Sequence, residues 1–307
     1  MLIDTQITLV MQAKDDATKQ QYKRETAHMP TLRLCFPSME GQVNCMHSKL
    51  MLLSHPTHLR VAVPTANLVS YDWGESGGIM ENSIFLIDLP RLSNGRTAPK
   101  EITFFGRELI YFCEAMGLER SIINSIYNFD FAATKDLVFV HTIGGAHLGE
   151  SWRRTGYCGL GSAVHELGLA TEHPLKMDFI TSSVGSLNIN FLAMLYLAAQ
   201  GDDGSTEYEW SNPTAGRSKA AKNSLQQKET VRKALEDDIS SNFHIYFPTN
   251  ETVRNSKAGS AGTICFQSKW YNSPTFPKAV LRDCKSVRPG MLMHNKAGRF
   301  APILVRC

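Results

Sequence analysis

Residues 46–53 read Met-His-Ser-Lys-Leu-Met-Leu-Leu, and residues 291–296 read Met-Leu-Met-His-Asn-Lys. Successive side chains on a strand point to opposite faces, so His47 and Lys49 would share one face and Ser48 take the other. His294 and Lys296 repeat the arrangement. The uninterrupted run Leu50 to Leu53 predicts a central strand buried on both faces. A histidine beside a lysine suits phosphoryl chemistry. The imidazole can attack phosphorus or shuttle a proton, and the ammonium is a compact point charge for a phosphate oxygen. The triplet alone is weak, because ten histidines and 16 lysines in 307 residues give about half of one by chance. Its context is stronger. Both copies lie on predicted strands, one in each half of the chain, as a duplicated half-domain would place them.

Working outward, strand and helix signals alternate, which predicts an α/β architecture. Strands are expected at 1–11, 32–36, 46–53, 59–64, 83–89, 137–141, 177–180, 243–247 and 290–295. Helices are expected at 14–28, 105–116, 187–199 and 218–238, with 201–216 loop-like and a domain boundary near 134. The strand at 59–64 runs into a turn presenting Asn67, whose amide can donate to a phosphate oxygen beside Lys49. Ser182, Ser183 and Ser186 fall between a strand and a helix, where hydroxyls and free N–H groups make either a phosphate site or a plain helix cap. Gly144-Gly145 and Gly159-Leu-Gly161 complete no phosphate loop and read as turns. His165, Glu166 and His173 lack a metal-ligand spacing, and Arg217, Lys219 and Lys222 read as a solvated helix face.

The bulk numbers narrow the classes. A net charge of +3 is too small for a general nucleic-acid field, so phosphate binding would depend on local lysines and arginines. Seven scattered cysteines, none in a C-x-x-C spacing, argue against a disulfide framework or a zinc site and for a reducing intracellular compartment. The longest apolar stretch, Leu187 to Ala199, carries Asn188 and Asn190 and is too short to span a bilayer, so no membrane partner is expected.

As a set the motifs become specific. The run Met46-His-Ser-Lys-Leu-Met-Leu-Leu53, followed by Leu59-Arg-Val-Ala-Val-Pro-Thr-Ala-Asn-Leu-Val-Ser-Tyr-Asp-Trp73, resembles the first half-site of the tyrosyl-DNA phosphodiesterases, a branch of the phospholipase D superfamily. No aspartate follows the His-x-Lys as it does elsewhere in that superfamily. Ser182-Ser-Val-Gly-Ser-Leu187 is similar to a family stretch that contacts the DNA backbone, and Met293-His-Asn-Lys296 to the second half-site. The resemblance implies two pseudo-symmetric phospholipase D-like α/β sandwich halves, 1–134 with the first motif and 135–307 with the second. It also implies that the chain is incomplete at both termini relative to the family, because the family continues after Lys296 with an Asn-bearing turn and a glutamate. Gly298, Arg299 and Pro302 interrupt the run after Lys296, proline being unwelcome in a central strand, and poor activity and low stability are the expectation that follows.

The resemblance further implies a nuclear, monomeric DNA-repair enzyme acting on single- or double-stranded DNA 3′ ends that carry a topoisomerase I-derived tyrosyl peptide. His47 would attack the phosphorus and His294 would serve as general acid, then base. Lys49, Lys296 and Asn67 would neutralise the non-bridging oxygens, and Ser182, Ser183 and Ser186 would hold the DNA backbone. No metal and no organic cofactor are called for, since two lysines supply the charge. The other readings are an inactive relative that at most binds DNA ends, and another phosphodiesterase of the superfamily.

Overall fold

The computed structural model describes residues 5–39, 45–75, 77–211, 219–259, 262 and 264–303, with backbone alone from 219 to 228. The first elements are β1 (Ile7–Val10), α1 (Asp16–Glu25), β2 (Leu32–Cys35), β3 (Met51–Ser54), β4 (His58–Pro64), β5 (Met80–Glu81) and β6 (Ile84–Pro90). Next come α2 (Phe104–Ala115), α3 (Arg120–Ile126), α4 (Gly156–Glu166), β7 (Leu175–Ile180), β8 (Ser183–Val184), α5 (Ile189–Gln200) and α6 (Ser205–Ser211). The remainder are α7 (Lys219–Asn242), β9 (Phe243–Tyr246), α8 (Asn250–Arg254), β10 (Cys265–Phe266), α9 (Ser268–Tyr271), β11 (Leu281–Arg282), β12 (Leu292–Met293) and β13 (Ala297–Pro302). The architecture is mixed α/β, as the alternation of signals predicts.

The chain passes more than once between two compact units. One comprises 1–48, 52–61 and 87–159, the other 49–51, 62–86 and 160–307.

In the first unit β1 and β2 pair in parallel, Ile7 opposite Leu32 and Val10 opposite Cys35, with α1 as the crossover. Asp15 caps α1 by accepting the Thr18 N–H at 2.8 Å. Helix α2 turns Phe105, Leu109, Phe112 and Cys113 inward, and burial pushes the Cys113 thiol up to about 12. The run 137–141, expected as a strand, makes only a single bridge, His141 to Thr155. Side chains hold it instead of a ladder. Phe139 meets the Phe105 ring edge-on at 5.6 Å, and His141 Nε2 lies 3.2 Å from Glu108 Oε2. Burial alone would raise the Glu108 carboxyl, but hydrogen bonds from His141 and Arg154 hold it below the ordinary carboxylate value.

The second unit is built on a four-stranded sheet of order β11-β9-β7-β13. Met177, Leu192, Tyr196, Ile239, Phe243, Ile245 and Val280 form its core, drawn from the sheet, α5, α7 and the turn before β11. Asn188 caps α5 by accepting the Phe191 N–H at 2.9 Å, and the buried Tyr196 hydroxyl accepts the Leu175 N–H at 2.6 Å.

Four local expectations are corrected. Strand β3 begins at Met51 and edges a three-stranded sheet of order β3-β4-β6, so the run Leu50–Leu53 is not buried on both faces, and Leu53 is 43% exposed. Gly298 and Pro302 do not break the chain after Lys296, because β13 is an edge strand that pairs antiparallel with β7 from Ala297–Ile180 to Pro302–Leu175. An edge position tolerates a residue without N–H, and Ile303 N–H completes the run on Pro174 O. Gly159 and Gly161 lie inside α4, where they permit close backbone approach and form no turn. Within the stretch expected as loop, Ser205–Ser211 is helical. Arg217 and the side chains of Lys219 and Lys222 lie outside the described residues.

Candidate active site

Neither His-x-Lys pair lies within a strand. His47 and Lys49 precede β3, while His294 directly follows β12 and Lys296 directly precedes β13. Extended backbone still sets the spacing. β12 pairs in parallel with β5, Leu292 opposite Met80 and Met293 opposite Glu81, and the His294 N–H continues the ladder onto Glu81 O at 2.8 Å. The Glu81 carboxylate in turn accepts the Ser286 hydroxyl and lies 3.7 Å from Arg288, anchoring the chain just upstream of β12.

His294 is 2% exposed, and its ring is gripped on both sides. Nδ1 lies 2.8 Å from Asn82 Oδ1, and Nε2 lies 3.0 Å from Lys296 Nζ. An ammonium can only donate, so Nε2 is the acceptor and Nδ1 carries the ring proton, donating to Asn82. The Asn82 amide has a fixed sense, because its oxygen also accepts the Thr65 hydroxyl at 3.0 Å and its Nδ2 donates to Asp72 O at 3.1 Å. Beside an ammonium at Lys296, these contacts orient the ring with Nδ1 donating to Asn82 and Nε2 toward Lys296.

Lys296 Nζ also donates to His294 O at 2.9 Å and to Thr65 O at 3.3 Å. Burial, then the charge of Lys49, lowers its pKa to about 8 against the opposing pull of Asp72. Lys49 is lowered by burial in the same way, with Asp72 again opposing. Lys296 thus feels the charge of Lys49, and both lysines feel that of Asp72.

Asn67 enters this group through that carboxylate. Its backbone N–H and its Nδ2 both donate to Asp72 Oδ2, at 2.6 and 2.8 Å, while the Trp73 indole N–H closes the turn on Asn67 O at 2.8 Å. Asp72 and Asn82 were not singled out from sequence. Asp72 is visible there only as part of the Asn-Leu-Val-Ser-Tyr-Asp-Trp continuation, and Asn82 carries no periodic or motif signal.

His47 is exposed and belongs to the first unit, two residues before Lys49. The serines are placed otherwise than expected. Ser183 lies on β8, which pairs with β10, and the cap of α5 is Asn188, so the serines form neither the helix cap nor the first turn. Ser183 and Ser186 are exposed, whereas Ser182 is buried with its hydroxyl unpartnered and its carbonyl accepting the Cys265 N–H at 3.0 Å. Among the described residues no three His, Cys, Asp or Glu side chains are grouped to hold a metal ion, and no helix is long and apolar enough to cross a membrane.

A family profile described as Tyrosyl-DNA phosphodiesterase matches residues 2–301. No curated protein matches the chain by sequence alone. Among solved structures the chain is similar to a crystal structure of a mutant yeast tyrosyl-DNA phosphodiesterase, with TM-score 0.61 and 16% identity over 94% of this chain and 63% of that one. It is similar also to the structure titled simply as the yeast tyrosyl-DNA phosphodiesterase, with TM-score 0.58 and 16% identity over 94% of this chain and 64% of the other. The chain thus spans under two thirds of the length of these structures.

Proposed function

The chain belongs to the tyrosyl-DNA phosphodiesterase family, and we propose that it hydrolyses a phosphodiester at a DNA 3′ end with a tyrosyl leaving group, as a monomeric DNA-repair enzyme of the nucleus. The tyrosine would be the remnant of a trapped topoisomerase I. One observation carries the reading: a buried histidine held through Nδ1 by Asn82, whose Nε2 lies 3.0 Å from a lysine that feels both a second lysine and a buried carboxylate. Two ammonium groups and an oriented imidazole are what a phosphoryl centre needs for charge neutralisation and proton transfer.

In this reading the halves 1–134 and 135–307 each supply one His-x-Lys. A phosphate oxygen takes the place of His294 Nε2 as acceptor for Lys296. The released Nε2 then takes up a proton beside the bound anion. His47 attacks phosphorus, the P–O bond to tyrosine breaks, and His294 delivers its proton to the departing phenolate. The imidazole, neutral again, removes a proton from water, which attacks the phosphohistidine and leaves a 3′-phosphate and free His47. Lys49, Lys296 and Asn67 offset the non-bridging oxygens, while Ser183 and Ser186, both exposed, face the DNA backbone; Ser182 is buried, its carbonyl accepting the Cys265 N–H. Neither metal nor organic cofactor takes part.

The test is single-turnover cleavage of a 3′-phosphotyrosyl oligonucleotide. Cleavage should persist in EDTA, vanish in His47→Ala, and leave a covalent DNA adduct on denaturing gels in His294→Asn. Loss of turnover in EDTA, or full turnover in His47→Ala, would overturn the mechanism. An inactive wild-type chain that still binds DNA 3′ ends would favour the non-enzymatic reading.

A further inference from the structure

We infer that Asp72 is a positioning residue of this site, one that fixes the Asn67 amide and supplies the shared counter-charge for Lys49 and Lys296. The inference rests on the phosphate-binding reading given above. The Asp72 side chain is wholly buried, with 0% exposure. Its Oδ2 accepts both Asn67 donors and lies 3.8 Å from His294 Nδ1. Among the described residues its Oδ1 is buried and has no hydrogen-bond partner. A buried carboxylate with an idle oxygen is costly, and an asparagine would serve the turn more cheaply. The charge itself must therefore be in use.

The groups facing it show what that use is. Lys49 comes from the segment before β3, Lys296 from the segment before β13 and His294 from the end of β12, while Glu81 on β5 is engaged with Ser286 and Arg288. Both lysines are pushed toward neutrality by burial, and Asp72 acts against that push on each. With a neutral imidazole the group carries two positive charges and one negative, a net of about +1 that matches a single phosphodiester anion. Without the carboxylate the like charges of Lys49 and Lys296 would drive one of them to shed its proton.

The experiment compares wild type with Asp72→Asn, which keeps the shape and loses the charge, and Asp72→Glu, which keeps the charge and shifts it. Lysine Nζ titrations are followed by NMR on lysine-labelled protein, assigned with Lys49→Arg and Lys296→Arg, and no substrate is present. In Asp72→Asn the Lys296 midpoint should fall by about one pH unit, and the alkaline limb of cleavage should move with it. The kcat/KM near pH 7.5 should drop about threefold, as the protonated fraction of Lys296 falls from about 0.8 to about 0.2. In Asp72→Glu the midpoint should stay near the wild-type value while kcat falls through the displaced Asn67. An Asp72→Asn protein that melts like wild type and keeps both the midpoint and the alkaline limb would overturn the inference. Should that variant not fold, an Asp72→Glu protein with wild-type kcat would do the same. If the wild-type chain cleaves nothing, the proposed activity fails, and the lysine titration still decides the role of Asp72.

Discussion

Lys296 Nζ and His294 Nε2 lie 3.0 Å apart, so in the unliganded chain the lysine occupies the ring nitrogen that acid–base chemistry would use. The contact ties the availability of His294 to the protonation state of Lys296, and it makes the pH behaviour of the site predictable. Burial and the Lys49 charge bring Lys296 from the ordinary lysine value of 10.5 down to about 8. If the ammonium form is needed to engage phosphate, kcat/KM should fall as pH rises through about 8, because that ratio reports the free protein.

Stability should move the opposite way. Between about 8 and 10.5 the unfolded chain binds the Lys296 proton more fully than the folded chain, so this group adds stability as pH rises across that window. The Lys296→Met variant lacks the term. Its melting temperature minus that of wild type should therefore decrease steadily from pH 7.5 to pH 10. A difference that is flat across the range would show that Lys296 keeps an ordinary affinity for its proton.

Asn82 should matter to catalysis more than to folding. Its Oδ1 receives the His294 Nδ1 proton at 2.8 Å and so selects the tautomer that leaves Nε2 facing the site. Asn82→Leu removes the acceptor at similar volume. The imidazole is then free to turn or change tautomer, and cleavage should slow by some part of the roughly 10²–10⁴-fold that a positioned acid or base contributes. Nitrogen-15 NMR of the His294 ring should report a mixed tautomer, and the melting temperature should fall by a few degrees, because the Thr65 hydroxyl and the Asp72 carbonyl lose the same partner. An unchanged rate with an unchanged tautomer would mean that the ladder through Glu81 O alone holds the ring.

The nearness of His294 to Lys296 was legible in the sequence because a His-x-Lys spacing works on extended backbone whether or not a ladder forms there. Asp72 and Asn82 were not legible, since their roles depend on a turn closing five residues from Asn67 and on a strand pairing that brings residue 82 beside residue 294. The run 137–141 has the composition of a strand, yet it is held by rings and a side-chain hydrogen bond, which alternation cannot reveal. Pro302 argued against a strand only on the supposition that it was central; at an edge the objection lapses. The Ser182–Ser186 stretch looked like a helix start because the true cap, Asn188, lies only two residues beyond it.

Gly161 gives the last test, on packing alone. A glycine pair spaced like a turn instead lies in α4, at the point where the helix meets the junction of α5 and α6. A Cβ built on Gly161 would stand 1.8 Å from Asp202 O, a backbone atom that cannot rotate away. Asp202 is itself committed. Its N–H donates to Leu197 O at 3.0 Å, and its carboxylate accepts the Gly204 N–H at 2.8 Å and the Thr206 N–H at 3.3 Å, holding the start of α6. Moving the helix or the junction to admit one methyl group would strain those bonds together. Gly161→Ala should therefore destabilise the chain by about 1–3 kcal/mol or more, despite the gain that Ala brings to an unconstrained helix interior. Gly159→Ala should act in the same direction more weakly, since its nearest atom is Arg154 O at 2.7 Å, next to the N-terminus of the helix. Urea melts of the two variants would decide the matter. A Gly161→Ala chain as stable as wild type would show that α4 can move away from Asp202 at no cost.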